Sequence, residues 1–463
     1  MTDPTSTIAA IATPPGMGGI AVIRLSGAQA LPVADKLFTS PSGKKLSGQK
    51  AGTVHFGSIA CGGEAIDEVL ATVLRAPASY TGEDTVEISC HGSTYVQQQI
   101  LRALVDCGAQ LAQPGEFTMR AFLNGKIDLA QAEAVGDLIA SGTHAMHRVA
   151  MQQMRGGYSA EVKALREKLL HFASMLELEL DFADEDASFA DREELRELLR
   201  EILQSIAKLT DSFAAGNAIK KGIPVVIAGS PNVGKSTLLN ALLNDEKALV
   251  SDVAGTTRDA IEDTVTLGGT LFRLIDTAGI RSGAGDVERL GIERTYQKLG
   301  QAQIVLLVLD ATLTADKLQS DVRHFLQKTA EGQTLVALLN KADRTGDAEL
   351  AEKLALLRPL CGLLAISAKN KTGMAALEQE LRRLAAIPDN LDGSIVCNLR
   401  HYEAFVGARQ ALSRALDGLN SRLSEELIAF EIREATQRLA DVTGEIADTD
   451  VLNNIFAKFC IGK

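Results

Sequence analysis

No uninterrupted apolar run in these 463 residues is long enough to span a bilayer, so no segment is expected to cross one. The opening stretch, MTDPTSTIAAIATPPGMGG, lacks the basic start and long apolar core of a secretory leader. The six cysteines include no CxxC pair, which fits a reducing cytoplasm better than a disulfide framework or a zinc site. Positive charge is also short: 47 Lys and Arg stand against 59 Asp and Glu, a formal net charge of −12. That balance weighs against coating nucleic acid through the whole surface, which needs many phosphate contacts; a local basic patch stays compatible with it. Cys460, four positions from the end, imitates a prenylation box. No basic cluster or second cysteine precedes it, and Lys463 is a poor final residue for that reaction. Two readings of Cys460 remain: a buried thiol behaving as a small hydrophobe, or a working thiol on a docked tail.

What is present is ordinary for a globular protein, with 46% hydrophobic and 23% charged residues. The length predicts roughly two to four domains. Residues 1–120 are rich in β-branched residues, glycine and turn signals; GGIAVIRLSG and DTVEISCHG read as short strands of an α+β domain. From 121 to 216 glycine and proline become rare. VKALREKLLHFASMLELEL and REELRELLREILQSIAKL repeat apolar residues at helical spacing, with the acidic run Asp181, Asp184, Glu185 and Asp186 in a solvated turn between them. Residues 217–385 alternate apolar strands with helices, the rhythm of an α/β domain, and TVTLGGTLFRLID adds a hairpin through its Gly-Gly pair. Helical texture returns in 386–463. The simplest geometry is a helical domain, 121–216 plus 386–463, with the α/β domain inserted into it.

GSPNVGKST, starting at Gly229, fits G-x-x-x-x-G-K-[ST] between an apolar strand and a helical pattern, the context a phosphate-binding loop requires. Gly229 and Gly234 let the backbone turn its N–H groups to phosphate oxygens. Lys235 supplies charge to the β- and γ-phosphates, and Ser236 offers a hydroxyl to Mg²⁺. Asn232, Val233 and Thr237 complete the loop. Three further stretches follow in the order a GTPase needs. DTAG (Asp276, Thr277, Ala278, Gly279) can hold the magnesium shell and meet the γ-phosphate. In NKAD (Asn340, Lys341, Ala342, Asp343), the Asp343 carboxylate can accept two bonds from guanine, a donor pair that adenine lacks. SAK (Ser367, Ala368, Lys369) supports the base. The ordered set predicts a GTP site.

Hydrolysis is less ordinary. In Ras-like proteins a glutamine after DxxG orients the attacking water, but here that residue is Ile280. Arg281, Asp286, Glu288 and Arg289 are nearby polar candidates, and each reads equally as loop solvation. Switch-I candidates lie in SDVAGTTRD: Ser251, Asp252, Val253, Ala254, Gly255, Thr256 and Thr257, with Thr257 placed to close on Mg²⁺. Asn232 is either a turn-former after proline or the side-chain ligand of a monovalent cation beside the phosphates, where activating proteins insert an arginine worth roughly 10³–10⁵ in rate. His144 and His147, at i and i+3, have no further ligand near in sequence and read as ordinary helical residues.

Seven stretches carry a wider resemblance: IAAIATPPGMGGIAVIRLSG, SYTGEDTVEISCHG, QPGEFTMRAFLNGKIDLAQAEAV, AGSPNVGKSTLLNAL, VAGTTRD, IDTAGIR and FCIGK. Across essentially its whole length the chain resembles the bacterial MnmE (TrmE) family of tRNA-modification GTPases; SCHGS departs from it by lacking a second glycine after His91. The resemblance implies a multidomain fold: an α+β N-terminal folate-binding domain that dimerises, an all-α domain, and an inserted α/β Ras-like GTPase domain. It implies potassium-dependent GTP hydrolysis, with K⁺ held by Asn232 and by backbone oxygens of Ser251, Val253 and Thr256. Ser236 and Thr257 would take Mg²⁺, and Glu288 would orient the water. It further implies a tetrahydrofolate one-carbon cofactor of the 5-formyl type bound by Arg24, Glu83, Lys126 and Lys463, with Cys460 delivered to the same pocket. The partners implied are a second copy of the chain, the FAD-carrying flavoprotein MnmG, and tRNAs that receive an aminomethyl or carboxymethylaminomethyl group on the wobble uridine. The chemistry suits the assignment, since a carboxylate such as Glu83 can meet a pterin's ring N–H and amino group together. A regulatory GTP switch in ribosome assembly needs the same phosphate loops and is the alternative; a purely structural dimer with vestigial nucleotide binding is opposed by the intact motifs.

Overall fold

The computed structural model describes residues 5–181, 191–243, 263–275, 300, 302–330, 332–385, 395–421, 423–446 and 449–463. By backbone proximity the chain falls into two units: Met1–Ile139, Gln153–Leu199 and Gln410–Lys463 in one, and Ala140–Gln152 with Arg200–Arg409 in the other.

The first unit holds a seven-stranded sheet. Its strands are β1 (Ile8–Ile11), β2 (Gly18–Ser26), β3 (Phe38–Thr39), β4 (Thr53–Cys61), β5 (Glu64–Leu74), β6 (Thr85–Gly92) and β7 (Gln110–Leu111). They are ordered β3-β4-β5-β6-β2-β1-β7, mostly antiparallel, with β1 and β7 parallel. One face is dry. Val69, Ala71 and Val73 alternate inward along β5 and pack with Ile23, Leu25, Val86 and Ile88 under the helices Ala30–Leu37 and Thr94–Asp106. Each fully buried side chain of this size contributes about 1.5–3 kcal/mol. The same alternation sends Leu70 outward, opposite Phe56, so one face reads apolar and the other mixed, as antiparallel sheets allow. Long amphipathic helices, Ser159–Asp181 and Glu425–Thr443, pack along each other in this unit; the latter closes on Gly444 in the left-handed region at φ 80°.

The second unit holds a six-stranded sheet of β8 (Ile223–Ala228), β9 (Asp263–Leu267), β10 (Thr270–Ile275), β11 (Ile304–Asp310), β12 (Thr334–Asn340) and β13 (Gly362–Ala365), ordered β13-β12-β11-β8-β10-β9. All neighbours are parallel except the β9–β10 hairpin, which turns on Gly268 and Gly269 at φ 53° and 82° as the Gly-Gly pair predicts. β11 is apolar on both faces: Ile304, Leu306 and Val308 join one core, Val305, Leu307 and Leu309 the other. A central parallel strand covered by helices on both sides requires such a run. The parallel strands end together, and a ligand crevice in this architecture lies beyond those carboxyl ends. Among the described residues no helix is long and apolar enough to cross a membrane.

Candidate functional site

The loop after β8 has the shape its glycines predict. Gly229 (φ 141°) lies against β11, and a Cβ there would meet the Val308 carbonyl at 2.3 Å; at Gly234 (φ 99°) it would meet Asn340 Nδ2 at 2.3 Å. Only glycine allows both the conformation and the approach. The helix Lys235–Leu243 starts directly after, so its free N–H groups and dipole face the loop. Lys235 Nζ donates to the carbonyls of Gly229 and Ser230, both at 2.8 Å, and burial pulls its ammonium below the ordinary lysine value. Asn232 (φ 61°), Ser236 and Thr237 are exposed along the loop, while Val233 anchors it in the core.

Two neighbouring side chains lock three loops together. Asn340, 3% exposed at the end of β12, donates through Nδ2 to the Val233 carbonyl (2.8 Å) and accepts from Ala368 N–H (2.9 Å). One amide thus ties NKAD to the phosphate loop and to SAK. Lys341 (φ 63°) donates from Nζ to the Asn232 carbonyl (2.8 Å) and pairs with Asp310 at the end of β11 (2.6 Å). Asp310 also accepts from Thr312 N–H (3.0 Å) and Thr312 Oγ1 (2.8 Å). Burial pushes its carboxyl up, but Lys341 and Thr312 outweigh that and hold it below the ordinary value. Asp343 and Lys369 are exposed beside this frame, Ala342 N–H donates to Ile366 O (3.1 Å), and buried Ser367 pairs with Thr372 in a short bridge that shapes the base-side loop. Ser251, Asp252, Val253, Ala254, Gly255, Thr256, Thr257, Asp276, Thr277, Ala278, Gly279, Ile280, Arg281, Asp286, Glu288 and Arg289 lie outside the described residues, as do Asp184, Glu185 and Asp186.

Arg24, Glu83, Lys126, Cys460 and Lys463 all belong to the first unit. Arg24 on β2 pairs with Glu87 on β6 (2.8 Å), and its guanidinium carbon lies 5.6 Å from the Tyr80 and Phe117 ring centres. The C-terminal tail reaches the same place. Gly462, at φ 95°, lies so close to β1 that a Cβ would meet the Ile11 carbonyl at 2.4 Å, and its own carbonyl accepts from Arg24 at 3.4 Å. Lys463 Nζ sits 5.8 Å over the Tyr80 ring. Burial and Arg24 push the Lys463 ammonium below its ordinary value, against a smaller opposite pull from Glu87. Glu83 accepts from Ser26 Oγ (2.7 Å) and from Arg120 (3.2 Å). Lys126 lies against Gly82, 3.2 Å from where a Cβ would stand, and donates to Pro77 O (2.9 Å). Cys460 is exposed beyond the last helix, Thr449–Phe456, which corrects the buried-thiol reading: the tail runs on to β1 and leaves the thiol outside the core. His144 and His147 lie on the helix His144–Met154, and no group of three or more potential ligands surrounds them among the described residues.

Arg120, Glu116, Tyr80 and Asp310 were not singled out from sequence. For Glu116 and Arg120 a signal existed, since opposite charges at i and i+4 share a helix face. Tyr80 and Asp310 gave none, because Thr118 and Lys341, which pair with them, are distant in the chain.

A family model of the MnmE helical domain matches residues 129–460, and one of the GTP-binding protein TrmE N-terminus matches residues 7–126. The tRNA modification GTPase MnmE of Parabacteroides distasonis is 53% identical over 467 residues, covering 99% of this chain and 100% of that protein. Its namesake in Cytophaga hutchinsonii is 47% identical over 464 residues, covering 100% of this chain and 99% of that protein. Among solved structures, Era from Aquifex aeolicus bound to GDP·AlF4⁻ is 25% identical over 41% of this chain and 66% of that one, with a TM-score of 0.28, too slight a likeness to carry weight. With both models matched in sequence order and full-length relatives at this identity, the chain belongs to the MnmE family of tRNA-modification GTPases.

Proposed function

We propose that this enzyme is a potassium-activated GTPase that acts with the flavoprotein MnmG, which carries FAD, on the wobble uridine of certain tRNAs. The product is an aminomethyl or carboxymethylaminomethyl group at C5, its carbon drawn from a tetrahydrofolate. The observation that carries this reading is the meeting of Arg24 and the docked Lys463 over the Tyr80 ring, in the same chain as the GTP loops. Two cations beside an aromatic wall form a site for a planar anion. A bound carboxylate offsets the burial and the Arg24 repulsion that together pull Lys463 down, and Glu83 supplies the acceptor that a pterin's paired N–H groups need.

At the nucleotide site, Lys235 and the helix N-terminus bind the phosphates, and Asn340 and Lys341 hold the loops against the base that Asp343 reads. Mg²⁺ fits the exposed Ser236 hydroxyl at the helix start, with Thr257 as its second protein ligand. K⁺ fits the exposed Asn232, aided by backbone oxygens of Ser251, Val253 and Thr256; bound there, it supplies the positive charge an arginine finger supplies elsewhere. Glu288 orients the attacking water, the task Ile280 cannot perform. Cys460 and Lys463 close the cofactor pocket.

Three domains divide this work: 1–120 for dimerisation and cofactor, 217–385 for GTP, and 121–216 with 386–463 as the helical link. A second copy covers the exposed sheet face, where Val54, Phe56, Leu70 and Ile20 are each about half exposed or more on the same side. The composition and the cysteines support a cytoplasmic location. The test is mass spectrometry of wobble uridines in bulk tRNA from a deletion strain. Loss of the C5 modification is expected, while intact modification together with a ribosome-assembly defect favours the switch reading instead.

A further inference from the structure

Arg120 is a buried cation that neither the GTP site nor the tail uses, and it stands against Glu83. Arg120, 2% exposed on the helix Glu116–Leu123, directs Nη1 at the Ser6 carbonyl (2.6 Å) and at both Glu83 oxygens (3.2 and 3.3 Å). Its Nη2 meets Ser6 Oγ (3.2 Å) and Glu116 Oε1 (3.0 Å). Glu116, 1% exposed, is further occupied by the Gln113 N–H at 2.7 Å. One guanidinium therefore serves two carboxylates. Of the three side chains only Glu83 reaches solvent: it is 19% exposed, against 1–2% for the other two.

A second support reaches Glu83 from β2. Ser26, fully buried, donates its one hydroxyl proton to Glu83 Oε2, so it must accept from Thr81 Oγ1 (2.8 Å); the single Thr85 proton lies between Ser26 Oγ (3.3 Å) and the Glu83 carbonyl (3.2 Å). The Thr81-to-Ser26-to-Glu83 chain runs toward the carboxylate and strengthens the last bond. Glu83 is thus gripped on its inner side, and only its outer edge faces solvent. A buried ion cluster is a poor way to gain stability, because desolvation offsets the attraction. A cluster that fixes the plane of one partly exposed carboxylate is suited to recognition.

We infer that Arg120 is a positioning residue for the cofactor site, fixing Glu83 with Ser26 as second support so that the carboxylate receives the adjacent N–H and amino donors of a reduced pterin. The inference rests on the folate reading above. Arg120 contacts no ligand itself; it sets how selectively Glu83 reads one.

The test measures binding of 5-formyltetrahydrofolate, and of its analogue without the 2-amino group, to the full-length protein. Glu83→Gln checks the underlying reading: if it binds the cofactor as tightly as wild type, the folate assignment itself fails. Given a loss there, Arg120→Lys, which keeps the charge but not the planar fork, and the milder Ser26→Ala are each expected to weaken the cofactor about tenfold. Both are expected to shrink the preference over the deaminated analogue, and neither to add a further loss in the Glu83→Gln background. Wild-type affinity in both variants overturns the inference. So does weaker binding with the preference intact, which marks Arg120 as scaffold alone.

Discussion

The ion pair between Asp310 and Lys341 offers a direct probe of how the nucleotide loops are held. Lys341 has two fixed partners, the Asn232 carbonyl on the phosphate loop and the Asp310 carboxylate on β11. Asp310→Asn keeps an acceptor for Thr312 and removes only the charge. A charge-assisted hydrogen bond contributes about 1.5–3 kcal/mol. The two side chains are 26% and 16% exposed, so solvent screening lowers that to about 1 kcal/mol. The same energy lost from the bound state is about fivefold in Kd, expressed mainly as faster dissociation. Asp310→Ala also drops the Thr312 bonds and is expected to cost about tenfold or more in Kd. Stopped-flow release of a fluorescent GDP measures both. In a Lys341→Met background, Asp310→Asn is expected to add nothing further. Because the Asp310 carboxyl sits below its ordinary value, the pair is intact above the usual carboxylate range and is lost only as pH falls through the depressed value. Unchanged release in Asp310→Asn, or an equal effect with and without Lys341, refutes the reasoning.

Asp343→Asn is expected to shift preference from GTP toward XTP, since an amide can donate to xanthine's extra carbonyl; unchanged GTP affinity contradicts the assignment of the base contact. Replacing Na⁺ by K⁺ at matched ionic strength is expected to raise turnover, and equal rates remove potassium from the scheme. At pH 8 an alkylating reagent is expected to modify exposed Cys61 and Cys460 and to spare Cys90. Burial, reinforced by Asp67, pushes the Cys90 thiol up to about 11, leaving about one part in a thousand as thiolate. Peptide mass mapping reads the result, and labelling of Cys90 as fast as Cys61 contradicts it.

Much of this was legible in the sequence where the determinant is local. GSPNVGKST forces its loop because Gly229 and Gly234 stand where any Cβ collides, and the Gly-Gly pair at 268 and 269 forces the hairpin. The run in β11 announces a central strand because both its faces are buried. What stayed hidden depends on partners far apart in the chain. Arg24 and Lys463 meet over Tyr80, and Arg120 reaches Glu83 and Ser6, across separations that no spacing rule encodes. The docked tail is the sharpest case: Cys460 reads equally as core or working thiol until Gly462 is seen against Ile11.

The central claim is that GTP gripped by the phosphate loop drives chemistry on tRNA. It is tested most directly by the amount of C5-modified wobble uridine in tRNA from cells whose only copy of the enzyme carries Lys235→Ala. Loss of the modification, with the protein present at normal level, is the expected result. Normal modification contradicts the account.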